Sequence, residues 1–215
     1  MSESIPTPPQ LAALVLAGGQ SSRMGEDKAQ ILWEGKSLLQ RVCEVASHCT
    51  DQVYLITPWP ERYESMLSPE PLSGRTVQAL RETEHKRGPL GAVWEGLSQI
   101  EAEWVLLLAC DLPLLDPAIV QQWASQLPNL PPESLALVPQ QGTLWHPMCG
   151  FYRRCAVEPL QQFLEEGGRS FQRWLPQIGA TPLEVGTPEF RMLRNFNTPG
   201  DLHAPNSEHP GDCSP

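Results

Sequence analysis

The sequence predicts an α/β protein built on a mostly parallel central sheet covered by crossover helices. Three observations carry that expectation. Short runs rich in Val and Leu alternate with longer segments whose apolar residues recur at three- and four-residue steps, the pattern of strands joined by helical crossovers. Two of the runs, residues 12–16 and 104–109, are apolar throughout, as a strand covered on both faces must be. The chain of 215 residues, 40% hydrophobic and 19% charged, has enough apolar side chain for one filled core and is cramped for two.

Residues 12–16 form the first strand and run straight into Gly18 and Gly19. Leu38, Leu39, Val42, Cys43, Val45 and Ala46 then share one face of a helix that extends to about residue 47. A strand at 52–57 follows and stops at Pro58-Trp59-Pro60. Another at 77–80 leads through a polar loop, 82–87, to Gly88-Pro89-Leu90-Gly91, where a helix opens that continues through Val93, Trp94, Leu97 and Ile100. The most hydrophobic strand, 104–109, is closed by Asp111-Leu112-Pro113; Asp116 caps the next helix, Pro117 begins it, and the spacing carries it to residue 127.

The second half is less regular. It reads as a strand at 135–138, a loop at 140–147, a strand at 148–153, and helices at 157–166 and 170–178, with a further helix start at Asn197-Thr198-Pro199. Proline-rich polar residues at 1–10 and 203–215 are expected to be flexible tails, which leaves a single domain over 11–202.

Composition narrows the function. No stretch approaches the roughly 20 apolar residues that span a bilayer, and the start MSESIPTPPQ lacks the basic-then-apolar order of a signal peptide, so the expectation is a cytoplasmic protein with no membrane partner. A net charge of −10 repels nucleic acid. The six cysteines contain no Cys-x-x-Cys pair and most lie in apolar runs, which disfavours a zinc site or disulfide framework. In so acidic a chain, phosphate binding requires cations gathered locally, which directs attention to Arg23, Lys28, Lys86 and Arg87.

Glycines directly after a buried parallel strand let the backbone wrap around phosphate with its N–H groups turned inward. Taken alone, Gly18-Gly19 reads equally as such a cradle or as a plain turn. The spacing is neither that of a P-loop nor that of a dinucleotide fingerprint. What remains is Leu-x-Gly-Gly-x-x-x-Arg-Met-Gly-x-Asp-Lys, in which Arg23 and Lys28 bring two cations to one loop, and neutralising a triphosphate is the natural use of that pair.

This loop resembles that of the sugar-nucleotide and molybdopterin nucleotidyltransferases, and specifically of the molybdenum cofactor guanylyltransferases. The resemblance implies a Rossmann-like nucleotidyltransferase fold with helices on both faces of the sheet, three layers in the order α/β/α. Relatives using CTP or UTP typically begin Leu-Ala-Ala-Gly, whereas Leu16-Ala17-Gly18-Gly19 is the form of the guanylyltransferases. The resemblance puts the backbone of Leu16, Ala17 and Gly18 against guanine, with Gly18 leaving room for a purine, and puts Lys28 on the nucleotide phosphates.

Three further elements fit the same family. Asp111 stands at the carboxyl end of a strand, where parallel sheets place ligand-binding groups, and a carboxylate there suits Mg²⁺, which binds through one or two carboxylates plus phosphates. Taken alone, it reads first as a turn or capping residue; Cys110-Asp111-Leu112-Pro113 matches the family's Cys-Asp-x-Pro, whose Asp is a metal ligand. Gly88-Pro89-Leu90-Gly91 matches Gly-Pro-Leu-Ala-Gly in part, with Ala92 in place of the last glycine. Upstream, Glu82 stands where a nucleotide-contacting Asp is usual, and Thr57 near a usual nucleotide-binding Asn. Asn195-Phe196-Asn197-Thr198-Pro199 resembles Asn-x-Asn-Thr-Pro, whose asparagines belong to the active site. His146-Pro147 resembles an element on the second-substrate side, although a lone His is more often structural. Trp33, Trp59 and Trp145 are expected at the surface, at an interface or lining the second-substrate groove.

The resemblance implies transfer of GMP from Mg-GTP to molybdenum-molybdopterin with release of pyrophosphate. Arg23, Lys28 and Asp111 carry the catalysis in that reading, and transient contact with cofactor-insertion proteins or molybdoenzymes follows from it.

Overall fold

The computed structural model describes residues 10–18, 27–67, 76–83 and 87–196. In chain order its elements are β1 (Leu11–Leu16), β2 (Leu32–Trp33), β3 (Lys36–Ser37), α1 (Leu38–Cys49), β4 (Val53–Thr57), β5 (Val77–Arg81), α2 (Gly88–Gln99), β6 (Trp104–Ala109) and α3 (Pro117–Ala124). They continue with β7 (Ala136–Gln141), β8 (Leu144–Trp145), β9 (Cys149–Arg153), α4 (Val157–Glu165), α5 (Phe171–Trp174), β10 (Thr181–Glu184) and α6 (Thr187–Met192).

Among the described residues the main sheet has eight strands, in the order β10-β7-β9-β6-β1-β4-β5 with β8 paired to β7. Along that path every pairing is parallel except at β9, which runs antiparallel to both β6 and β7; β8 is antiparallel to β7. The mostly parallel sheet read from the sequence is therefore the observed one.

Alternation along the strands sorts the core into two layers, because successive side chains leave a strand on opposite faces. Ala13 and Val15 of β1 and Leu106 and Leu108 of β6 pack with Leu39, Val42 and Cys43 of α1 and Val120 and Trp123 of α3. Ala12 and Leu14, with Val105 and Leu107, face the other way onto Leu90, Val93 and Leu97 of α2 and Leu160 and Leu164 of α4. Both faces are covered, which gives the three layers. Each fully buried Leu contributes roughly 1.5–3 kcal/mol relative to exposure. No helix among the described residues is long and apolar enough to cross a membrane.

Several boundaries differ from the sequence reading. α3 begins on its expected cap, where Asp116 Oδ1 accepts from Ala118 N–H at 2.8 Å, but it stops at Ala124 and a 3₁₀ turn takes over at Leu127–Asn129. The expected helix 170–178 is one α-turn, Phe171–Trp174, followed by 3₁₀ Leu175–Ile178, because Pro176 lacks the N–H that an α-ladder needs. Residues 140–147 are not all loop: β7 and β8 close a tight hairpin around Gly142, whose φ of +59° suits glycine. The β2–β3 hairpin, β10 and α6 went unread. That first hairpin turns at Glu34-Gly35, both with positive φ, and delivers Ser37 as N-cap of α1 in a reciprocal capping box with Gln40.

Of the cysteines, Cys43 and Cys149 are buried, Cys49 and Cys110 half-buried and Cys155 exposed; these five are free thiols. Cys213 and the expected helix start at Asn197-Thr198-Pro199 lie outside the described residues.

Candidate active site

Register decides where the strands end. Leu16 is level with Ala109 of β6 and Ile56 of β4, and Thr57 is level with Arg81 of β5, so four parallel strands finish along one edge. From that edge emerge Ala17 and Gly18, Pro58, Glu82 and Thr83, and Cys110 and Asp111. Backbone bonds carry the ladder one step further: Ala17 N–H donates to Ile56 O at 3.1 Å, Cys110 N–H to Leu16 O at 3.1 Å, and Glu82 N–H to Thr57 O at 2.9 Å.

Gly18 is exposed, but its α-carbon is hemmed in. A β-carbon there would stand 2.8 Å from Pro58 Cδ and 3.2 Å from Glu82 Oε2. The glycine read as room for a purine is thus also demanded by the two neighbouring strand ends. Glu82 itself is buried, with its carboxylate against Gly18. Behind it, Glu95 of α2, also buried, accepts both the N–H and the hydroxyl of Thr83 on one oxygen, at 2.8 and 3.0 Å. The sequence reading missed Glu95; a carboxylate among core positions of an apolar helix was the available signal.

Lys28 opens a 3₁₀ turn, Lys28–Gln30, capped by Asp27, which accepts from Ala29 N–H at 3.1 Å. The buried Tyr63 hydroxyl donates to Asp27 Oδ2 at 2.6 Å and so moors that turn to the segment after β4.

Asp111 stands beyond β6 with its Oδ1 sealed from solvent and without a hydrogen-bond partner among the described residues. Burial pushes its carboxyl above the usual carboxylate range, opposed by the positive charge of Lys28 and by its own backbone N–H. A desolvated carboxylate oxygen lacking a partner is costly unless a cation satisfies it. The neighbouring Cys110 thiol is pushed far up, first by burial and then by Asp111 and Asp27, so it is held protonated and is a poor nucleophile. No group of three or more His, Cys, Asp or Glu suited to a metal occurs among the described residues. One carboxylate completed by phosphate oxygens is the arrangement Mg²⁺ accepts, so the residues present fit that ion.

The carboxyl-terminal element arrives at the same place. Phe196 N–H donates to Asp111 O at 2.9 Å, which sets the exposed Asn195 beside the turn after β6. His146 is half-buried in the turn between β8 and β9; Met148 of that turn accepts from Ala109 N–H at 3.0 Å, and burial lowers the imidazole pKa from its ordinary value.

Leu16, Ala17, Gly18, Lys28, Glu82, Asp111 and Asn195 therefore belong to one end of the sheet. Gly88 begins α2 with a φ of +66° and open space around its α-carbon, so conformation, not close approach, calls for glycine there. Ala92 packs into the core beneath α2. Thr57 is fully buried and its hydroxyl accepts from Trp59 N–H at 3.3 Å at the end of β4. Trp145 is core, bracketed by the Gln172 amide, while Trp33 and Trp59 are partly covered by Arg41 and Arg62. Arg87 lies over Trp94 at 5.6 Å. Gly19, Arg23, Lys86 and Asn197 lie outside the described residues.

Comparison with known proteins agrees with this architecture. A family model described as the MobA-like NTP transferase domain matches residues 13–179. The chain is 49% identical over 192 residues to a probable molybdenum cofactor guanylyltransferase of Trichormus variabilis, covering 89% of this chain and 88% of that one. It is 40% identical over 195 residues to a protein of the same description from Synechococcus elongatus, covering 90% and 96%. The crystal structure of molybdopterin-guanine dinucleotide biosynthesis protein A from Archaeoglobus fulgidus superposes with a TM-score of 0.72 at 21% identity, over 90% of this chain and 96% of that one, a likeness of fold. On the family match and these two relatives, the chain belongs to the MobA-like NTP transferase family and is a nucleotidyltransferase.

Proposed function

We propose that this protein transfers GMP from Mg-GTP to molybdenum-molybdopterin, forming the guanine dinucleotide of the cofactor and releasing pyrophosphate. The observation that carries the reading is the buried Asp111 Oδ1, without a hydrogen-bond partner among the described residues, at the same sheet edge as the Gly18 strand end and with the Lys28 charge acting on it. The relatives described as molybdenum cofactor guanylyltransferases supply the choice of acceptor and base.

In this reaction a phosphate oxygen of the acceptor bonds to the α-phosphorus of GTP as the bond from that phosphorus to the β-bridging oxygen breaks, and pyrophosphate leaves as an anion. The attacking group is already anionic, so no general base is required. Asp111 is the residue that would hold Mg²⁺, which when bound neutralises charge on the phosphates. Lys28 and Arg23 bring positive charge to the triphosphate, and the Tyr63–Asp27 bond fixes the turn from which Lys28 reaches. Leu16, Ala17 and Gly18 offer backbone to the base, with Gly19, Gly88, Asn195 and Asn197 completing the nucleotide site. The Glu82 carboxylate, an acceptor only, suits guanine, which presents N–H donors. We read residues 11–202 as one such domain, working in the cytoplasm, with contact to cofactor-insertion proteins or molybdoenzymes at delivery.

The test is pyrophosphate release by the purified protein with Mg²⁺, molybdopterin and each of the four nucleoside triphosphates. GTP is expected to be preferred. Preference for CTP reverses the base assignment, and release of no pyrophosphate from any of the four defeats the reading.

A further inference from the structure

Trp33 belongs to none of the elements proposed to touch the nucleotide, yet a chain of contacts through Phe196 links it to Asp111. Its ring meets that of Phe196 edge-on, with centroids 5.5 Å apart and planes at 63°. Arg41 of α1 stacks its guanidinium 4.3 Å from the centre of the Trp33 ring and donates from Nε and Nη2 to the Trp33 carbonyl at 3.0 and 2.7 Å. Phe196 is 2% exposed and donates its N–H to the Asp111 carbonyl.

Residues 194–196 belong to no helix or strand, so no ladder of backbone bonds sets the path of the chain past Asp111. Within this stretch the Phe196 side chain is buried. Its ring meets Trp33 of the β2–β3 hairpin while its N–H reaches the Asp111 carbonyl, and the adjacent Asn195 is exposed. The β2–β3 hairpin is in turn the first structure after the Lys28 turn: Leu38 N–H, at its exit, donates to Ile31 O at 3.0 Å.

We propose that Trp33 and Phe196 are positioning residues of the transfer site. Their ring contact, braced by Arg41, latches the Asn195 segment onto the Asp111 turn. This rests on the reading of Asp111 and Asn195 as parts of the site. A purely structural role for the pair predicts something different, namely a change in global stability with no local effect at Phe196.

The experiment compares wild type, Trp33→Ala and Trp33→Phe by residue-resolved amide hydrogen exchange and by steady-state pyrophosphate release from GTP with molybdopterin. In Trp33→Ala the Phe196 amide is expected to exchange about tenfold faster, the scale of one aromatic contact, while amides of β6 and α2 keep their wild-type rates. The same variant is expected to lose about three- to tenfold in kcat with KM for GTP little changed, and Trp33→Phe is expected to restore both. The proposal is overturned if the Phe196 amide keeps its rate, if β6 and α2 amides accelerate with it, or if kcat stays at the wild-type value. Should wild type itself release no pyrophosphate, the functional reading has failed, and the exchange measurement alone decides the latch.

Discussion

The backbone N–H of Phe196 donates to the carbonyl of Asp111 across 2.9 Å, and through it two motifs far apart in the chain become neighbours. Asp111 follows β6, in the middle of the sheet; Phe196 follows α6, after the sheet is complete. With Lys28 acting electrostatically on Asp111, three separated segments meet at one residue, whose carboxylate Oδ1 is buried and without a hydrogen-bond partner among the described residues.

That carboxylate makes a stability prediction. Burial raises the Asp111 pKa above its unfolded value of 3.8, so its contribution to stability is fully present below that value and lost as pH rises through the folded pKa. At neutral pH without Mg²⁺ the burial of this carboxyl therefore weakens the fold. Asp111→Asn is expected to raise Tm at neutral pH, with the difference from wild type shrinking as pH falls toward 4. Thermal unfolding across that range checks it; a Tm below wild type at neutral pH contradicts the unsatisfied charge.

Gly18 predicts a steric effect. The β-carbon of Gly18→Ala would press on Pro58 Cδ at 2.8 Å, too close to be absorbed by a ring fixed in the backbone. A loss of about 1–3 kcal/mol in denaturant unfolding is expected. Pro58→Ala removes the obstructing atom and should recover most of that loss in the double variant. An Ala variant as stable as wild type would mean that Gly18 answers to the base alone.

How legible all this was depended on the range of the interactions. The strands at 12–16 and 104–109 announced themselves because burial on both faces leaves an unbroken apolar run. β2 and β8 are two residues each, too short for any period to show, and exist because a turn folds them onto a neighbour. Pro176 divided a helix whose apolar spacing gave no warning. At the site, Lys28 and Asp111 were readable from local pattern and resemblance. Tyr63 was not, since it matters through a partner that only the fold supplies, and Glu95 showed only as a carboxylate among core positions, with its partner Thr83 unread.

Glu95 yields a prediction about binding. Its carboxylate holds Thr83, and Thr83 follows Glu82. Glu95→Ala strands the Thr83 N–H and hydroxyl, at a cost of about 1–3 kcal/mol in stability, and frees the strand end that presents Glu82 to Gly18. KM for GTP is expected to rise about tenfold with kcat close to wild type. Glu95→Gln, which keeps an acceptor of the same length, should recover most of the affinity. Equal KM values for Glu95→Ala and wild type would show that Glu82 is held by other means.

The most direct test of the account is GTP-dependent pyrophosphate release by Asp111→Ala, with Mg²⁺ and molybdopterin saturating and the fold checked by near-ultraviolet circular dichroism. With an intact fold, turnover is expected to fall by at least about a thousandfold, since several kcal/mol of charge stabilisation is lost with the metal ligand. Turnover at the wild-type rate would contradict the role proposed for Asp111.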